Sequence, residues 1–171
     1  NFLLDLGQTT FGARLDPVKR WLNINVQSND AETRESTITS SLTAEVLKLK
    51  QNHRDAVIVL HNGENNVDLG YTGGVKLDTP FNNDLLESLL LPESAFKQGA
   101  IVIQGDRIKS AGARYPHSES DTLPEGTSMR HRLALGATEV ADVAAIVISG
   151  EDGTVSTTYQ GYMAHGVNRS E

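Results

Sequence analysis

The stretch Gly126-Thr-Ser-Met-Arg-His-Arg-Leu-Ala-Leu-Gly136 places two arginines around a histidine, after a hydroxyl-bearing loop and before a helix-like segment. Planar, permanently charged guanidinium groups suit phosphate, and the first N–H groups of a helix favour the same kind of ligand. Arg130, His131 and Arg132 therefore indicate a phosphate clamp. A basic turn paired with surface acids is the alternative, and a three-residue motif alone does not decide between the two.

The segments that precede this motif alternate between helical and extended patterns. A capping signal at residues 28–30, followed by apolar residues at helical spacing, predicts a helix to about Gln51. The continuous apolar run at residues 56–60 predicts a buried strand, and residues 82–91 predict a helix that Pro92 ends.

Two hairpins are predicted, one on each side of the motif. Each joins two strand-like segments through a glycine-containing turn: residues 99–103 with 108–114, and residues 143–148 with 154–159. Helices interleaved with strands, together with antiparallel pairs, predict an α/β domain with a single-layer mixed β-sheet flanked by helices.

The beginning of the chain is the least informative part. Residues 15–21 are compatible with a helix that has Pro17 in its first turn, and residues 22–26 alternate like a strand. Residues 1–40 are interpreted as a segment of unclear role packed on the domain, and residues 41–171 as the domain itself.

The composition limits the class of protein. A chain of 171 residues is long enough for one domain with a hydrophobic core. A formal net charge of -7 argues against nucleic-acid binding over a broad surface but allows a small anionic ligand in one basic site. Cysteine is absent, which excludes disulfides and thiolate chemistry. No apolar run reaches the roughly 18 residues of a membrane span, so a cytoplasmic domain without a membrane segment is expected.

Three motifs carry a resemblance to a known family. Gly99-Ala100, then Arg130-His131-Arg132, then the turn that begins at Ser149 follow one another in the order seen in diadenylate cyclase domains. The chain resembles that family from about residue 41 to residue 159. The family includes the catalytic domain of the DNA-integrity scanning protein and of membrane-bound cyclic di-AMP synthases.

The resemblance implies the diadenylate cyclase fold and a reaction between two nucleotides. Two domains meet face to face, each with one ATP, so at least a homodimer is implied for an active protein. The 3′-hydroxyl of each nucleotide attacks the α-phosphate of the other, which gives cyclic di-AMP and two pyrophosphates. Mg²⁺ or Mn²⁺ is the expected cofactor, because such a reaction needs charge neutralisation and an activated hydroxyl.

The resemblance also implies which residues form the site. Nucleotide binding is assigned to Gly99, Ala100, Thr127, Ser128, Arg130, His131, Arg132 and Ser149. Met129 occupies the position of the family's threonine, and Thr127 or Ser128 is the candidate replacement for its hydroxyl. Glu151 matches the second acid of the turn and is assigned a catalytic role, with metal binding as a further candidate role.

The chain departs from the family at two acidic positions. Lys97-Gln98 replaces the expected histidine and aspartate, and Gly150 replaces the first acid of the turn. Gln98 is neutral and cannot act as a base, although it occupies the catalytic position. Three hypotheses therefore stay open: an ATP-binding diadenylate cyclase, a catalytically impaired or inactive nucleotide-sensing domain of the same fold, or a domain of this fold that binds no nucleotide and only mediates association.

The remaining histidines show no metal-ligand spacing. They are interpreted as ordinary surface or strand-end residues: His53, His61, His117 and His165. Asp152 is interpreted as a structural residue of its turn.

Overall fold

The computed structural model describes residues 29–61 and 67–165, with side chains from residue 38 onward. The helix and strand predicted within residues 15–26 lie outside the described residues. The boundary placed between residues 40 and 41 falls inside a helix, and the packing of residues 1–28 stays a prediction.

Three helices and seven strands occupy the described residues. They are, in chain order, α1 (Asn29–Gln51), β1 (Ala56–His61), β2 (Val75–Pro80), α2 (Asn83–Leu89), β3 (Ala100–Gln104), β4 (Arg107–Ala113), α3 (Met129–Val140), β5 (Ala144–Ile148), β6 (Val155–Tyr159) and β7 (Tyr162–Ala164). The α1 and α2 helices and both hairpins are confirmed, with bounds that differ from the prediction by a few residues.

The strands form one mixed sheet in the order β2-β4-β3-β1-β5-β6-β7. Strands β1 and β3 are parallel, whereas the other neighbouring pairs are antiparallel. The two edge strands were not predicted. β2 is mostly exposed and has little apolar alternation, and β7 has only 3 residues, so neither carries the hydrophobic pattern of a buried strand.

Helices cover both faces of the sheet. On one face, Ile58 and Ile101 pack with Val46 of α1 and with α2 in one apolar cluster. On the other face, Val57 and Val147 pack with α3. β1 is buried along its whole length because it lies at the centre of the sheet between these two layers.

The strand register brings two of the three family motifs to one end of the sheet, and the contact between Arg130 and Asp55 brings the third there. Because β1 and β3 run parallel with Ile58 opposite Ile101, the two strands begin at the same end. β5 runs antiparallel to β1 and pairs Ile148 with Ala56, so the β5–β6 turn lies there as well. We call the start of β1, the start of β3 and the β5–β6 turn (residues 149–154) the motif end of the sheet.

Candidate functional site

Ser128 and His131 organise the start of α3. Ser128 is the N-cap, with extended backbone angles, and its backbone N–H and its hydroxyl both reach Nδ1 of His131, at 3.2 and 2.7 Å. Because the backbone N–H can only donate, Nδ1 is an acceptor, and the ring proton belongs on Nε2. The Nε2 atom lies 3.3 Å from the hydroxyl of Ser156 on β6.

His131 is therefore a buried link between α3 and the sheet. Its side chain is 2% exposed, and burial lowers its pKa, with a smaller contribution from His165. The ring of His165 lies 5.2 Å from that of His131, and its Nδ1 is 3.3 Å from the same Ser156 hydroxyl. His165 does follow a strand, as interpreted, yet it also belongs to this buried cluster. Phosphate contact by His131 stays a prediction.

Arg132 holds the loop that precedes α3. One of its guanidinium nitrogens donates to the carbonyl oxygens of Ser118 and Ser120, at 2.8 and 3.3 Å. Ser118 returns a backbone hydrogen bond of 2.9 Å to the carbonyl of Arg132, and its hydroxyl donates to Glu139 at 2.7 Å. The loop crosses α3 at Gly136, where an added Cβ would lie 1.7 Å from the carbonyl oxygen of Pro116.

Arg130 points toward the motif end and is less completely bonded. Its Nη2 atom lies 3.7 Å from Oδ2 of Asp55, and its side chain is 30% exposed. Its Nε–H is buried and has no hydrogen-bond partner among the described residues. A buried donor without an acceptor costs about 1–3 kcal/mol, so this guanidinium retains capacity for a further anionic partner.

The two candidate hydroxyls next to Met129 both make hydrogen bonds within the protein. Thr127 donates to the carbonyl of Pro124, and Ser128 contacts His131. Met129 itself is 62% exposed. In this conformation neither hydroxyl is directed to a ligand, and their assignment to phosphate stays a prediction.

The start of β3 is fixed by backbone packing. A Cβ at Gly99 would lie 2.5 Å from the carbonyl carbon of Gly112 on β4, so close strand contact already requires glycine there. Ala100 is fully buried in the apolar cluster on the α3 face. Gln98 is exposed, and the ammonium of Lys97 donates to the carbonyl of Pro92 at 2.6 Å. Nucleotide contact by Gly99 and Ala100 stays a prediction.

Both acids of the β5–β6 turn are exposed, and only one of them accepts hydrogen bonds within the turn. Ser149 closes the turn through backbone bonds to Thr154 and Gly153, both 3.0 Å. Asp152 accepts from the backbone and hydroxyl of Thr154; burial opposes its ionised form, but these hydrogen bonds outweigh burial and its pKa is lowered. Its structural role agrees with the sequence interpretation. Glu151 is exposed.

Asp55 is the site residue that sequence analysis missed. Its Oδ1 accepts the N–H of Gly150 at 2.9 Å, while its Oδ2 faces Arg130. Gly150 also packs so closely that a Cβ would lie 2.2 Å from the carbonyl oxygen of His53. One feature of the sequence could have indicated Asp55. It is an acid directly before the apolar run at residues 56–60, where a buried strand begins at the surface.

The acids of the motif end do not form a metal centre. Within residues 29–61 and 67–165, no group of three or more His, Cys, Asp or Glu side chains could hold a metal ion. Gln98 offers a neutral amide, and Asp55 and Asp152 already accept hydrogen bonds. The described side chains therefore offer no set of protein ligands that would hold Mg²⁺ or Mn²⁺ without a contribution from substrate phosphates, and Glu151 as a metal ligand stays a prediction.

Fold and site together define a class: a helix-covered mixed sheet with an arginine-bearing helix start at one end. The family model described as "DisA bacterial checkpoint controller nucleotide-binding" matches residues 44–163. The chain belongs to this diadenylate cyclase (DAC) domain family.

Named relatives and solved structures agree with this membership. A diadenylate cyclase of Listeria monocytogenes serotype 1/2a is 36% identical over 98 residues, which cover 57% of this chain and 36% of that protein. The chain thus spans little more than a third of that relative. A hypothetical membrane spanning protein from Bacillus cereus superposes with a TM-score of 0.74 at 25% identity, covering 91% of this chain and 71% of that one.

A second solved structure shows the same fold. A double mutant of DacA from Staphylococcus aureus superposes with a TM-score of 0.67 at 27% identity, over 82% of this chain and 90% of that one. These likenesses confirm the predicted mixed sheet flanked by helices. No helix within the described ranges combines the length and the apolar character that crossing a membrane requires.

Proposed function

We propose that this domain binds ATP or a related adenine nucleotide at the motif end of the sheet. The observation that carries the proposal is Arg130, whose guanidinium stands at the start of α3 with a buried Nε–H that no described residue accepts. A cationic side chain beside the positive end of a helix dipole favours the phosphates of a nucleotide.

Arg130 and Arg132 have different roles in this proposal. Arg130 supplies charge to the phosphates, whereas Arg132 shapes the loop at residues 118–120 that borders the site. Neutral His131 keeps the start of α3 attached to β6, so that the guanidinium of Arg130 projects from a fixed point. Gly99, Ala100 and Ser149 would line the nucleotide from the neighbouring strand ends.

The family reaction would follow when two such domains meet. The 3′-oxygen of one ATP attacks the α-phosphorus of the other, the hydroxyl proton passes to solvent water, and pyrophosphate leaves. The protein contributes in-line positioning and stabilisation of negative charge on the phosphates, and Arg130 fits the second role. Assembly as a homo-oligomer and a cytoplasmic location are part of this proposal.

Nucleotide sensing without efficient turnover is the second candidate function. Gln98 favours it, because this exposed amide stands where the family has an acid and cannot accept the proton of the attacking hydroxyl. Lys97 adds a positive charge beside it. A domain with this pair would retain ATP affinity even where it lacks the chemistry.

Titration calorimetry with ATP tests the proposal, in the unmodified chain and in Arg130→Ala. Loss of the guanidinium should weaken ATP binding about 10- to 150-fold, as expected for a charge-assisted contact of about 1.5–3 kcal/mol. Arg107→Ala is the matched control, because this arginine pairs with Asp78 at the opposite end of the sheet. Unchanged ATP affinity in Arg130→Ala would refute the assigned phosphate role.

A further inference from the structure

Asp55 contacts one of the two positions at which the chain lacks a family acid. One carboxylate oxygen accepts the N–H of Gly150, at 2.9 Å, and the other faces Arg130 across 3.7 Å. Its side chain is 42% exposed, so it borders solvent rather than the core.

Asp55 also lies at the same end of the sheet as Gln98. Asp55 directly precedes β1 and Gln98 precedes the start of β3 by two residues, and these two parallel neighbours begin at the same end. A carboxylate is therefore present at the motif end although residues 98 and 150 supply none.

We propose that Asp55 is a positioning residue that orients the guanidinium of Arg130 toward the nucleotide phosphates. The hydrogen bond from Gly150 fixes the carboxylate, and the fixed carboxylate restricts the long arginine side chain. An arginine restricted before binding loses less conformational entropy when it meets a phosphate. This inference rests on the proposed function.

The direction in which Asp55→Asn changes the affinity for ATP distinguishes a positioning role of Asp55 from a purely electrostatic effect of its charge. Asp55→Asn removes a negative charge near an anionic ligand, so repulsion alone would make ATP bind more tightly. Loss of positioning makes ATP bind more weakly, by about two- to fivefold for a partly exposed ion pair. The asparagine oxygen can still accept the N–H of Gly150, which preserves the turn.

The experiment measures the affinity for ATP and for adenosine without added metal. It uses the unmodified chain, Asp55→Asn, Arg130→Ala and the double variant. We expect Asp55→Asn to weaken ATP binding, to leave adenosine binding unchanged, and to have no further effect when Arg130 is alanine. Asp106→Asn is the matched control, because it removes an exposed acid in the β3–β4 turn at the other end of the sheet.

Three results would overturn the proposal: tighter ATP binding in Asp55→Asn, unchanged binding, or an equal loss in the Arg130→Ala background. Asp55→Ser, which also keeps an acceptor for Gly150, replaces Asp55→Asn if that variant unfolds early. Failure of the unmodified chain to bind ATP is a separate outcome, which refutes the proposed function itself.

Discussion

The start of α3 and the start of β3 lie at the same end of the sheet but are built differently. At the start of α3, Ser128, His131 and Ser156 form a continuous set of polar contacts, and the family's two arginines are present. At the start of β3, the glycine packs against β4 while Gln98, predicted to stand at the position of a family acid, is exposed.

On the proposed function, this difference assigns nucleotide binding to the start of α3 and the chemical step to the start of β3. The α3 start depends on cationic charge and helix geometry, which suffice to hold an anion. The β3 start would have to remove a proton from a hydroxyl, and a neutral amide cannot do so. A domain with the first region and without the second is expected to bind nucleotide better than it converts it.

Gln98→Asp gives the largest expected effect and tests the comparison directly. Restoring a carboxylate at the β3 start should raise cyclic di-AMP formation from ATP about 10²- to 10⁴-fold, the usual contribution of a general base. Product is measured by mass spectrometry at high protein concentration with Mn²⁺, with Gln104→Asp at the other end of β3 as the control. Equal, easily detected product from the unmodified chain would show that turnover does not need an acid at residue 98.

Glycine substitutions probe how tightly each region is packed. Gly136→Ala would place a Cβ 1.7 Å from the oxygen of Pro116, and Gly99→Ala would place one 2.5 Å from the carbon of Gly112. Both should lower the free energy of unfolding, by about 2–4 kcal/mol, with the larger loss at residue 136.

Urea denaturation measures these losses. Gly126→Ala is a control for space, because no atom of the described residues lies within 4 Å of a Cβ there, although its φ of +86° adds strain. If Gly99→Ala proved as stable as the unmodified chain, the packing explanation for glycine at the β3 start would be wrong.

The free energy of unfolding should depend on pH because of His131 at the start of α3. This is the smallest of the effects predicted here. Burial lowers the pKa of His131 below its ordinary 6.5, so the unfolded chain takes up a proton first as pH falls. Stability should therefore be complete above pH 6.5 and be lost below it, by up to about 1.4 kcal/mol per pH unit. The buried Glu45 acts in the opposite direction, because its raised pKa lets the folded chain take up that proton first as pH falls.

Urea midpoints at pH 7.5 and 5.5 measure this loss. His131→Gln should flatten the dependence, since glutamine cannot titrate, and His117→Gln in the exposed loop should leave it unchanged. The same slope in His131→Gln as in the unmodified chain would assign the titration to another group.

Hydrophobic pattern predicted the interior strands and helices well, because β1, β3 and β5 are central and therefore apolar. It failed at β2 and β7, whose pairing depends on backbone hydrogen bonds at sheet edges rather than on buried side chains. The motif residues were found from their order in the chain, whereas Asp55 belongs to no motif and became visible only through its contacts with Arg130 and Gly150.

The sequence by itself determined the family and the α/β mixed sheet, because these depend on residue types and their order, and it predicts the substitution at Gln98. Tertiary structure alone decided that Arg130, His131 and Arg132 face three different partners: Asp55, Ser156 and the carbonyls of Ser118 and Ser120. The physical reason is helical geometry: consecutive residues on a helix point about 100° apart, so neighbours in a motif need not share a ligand.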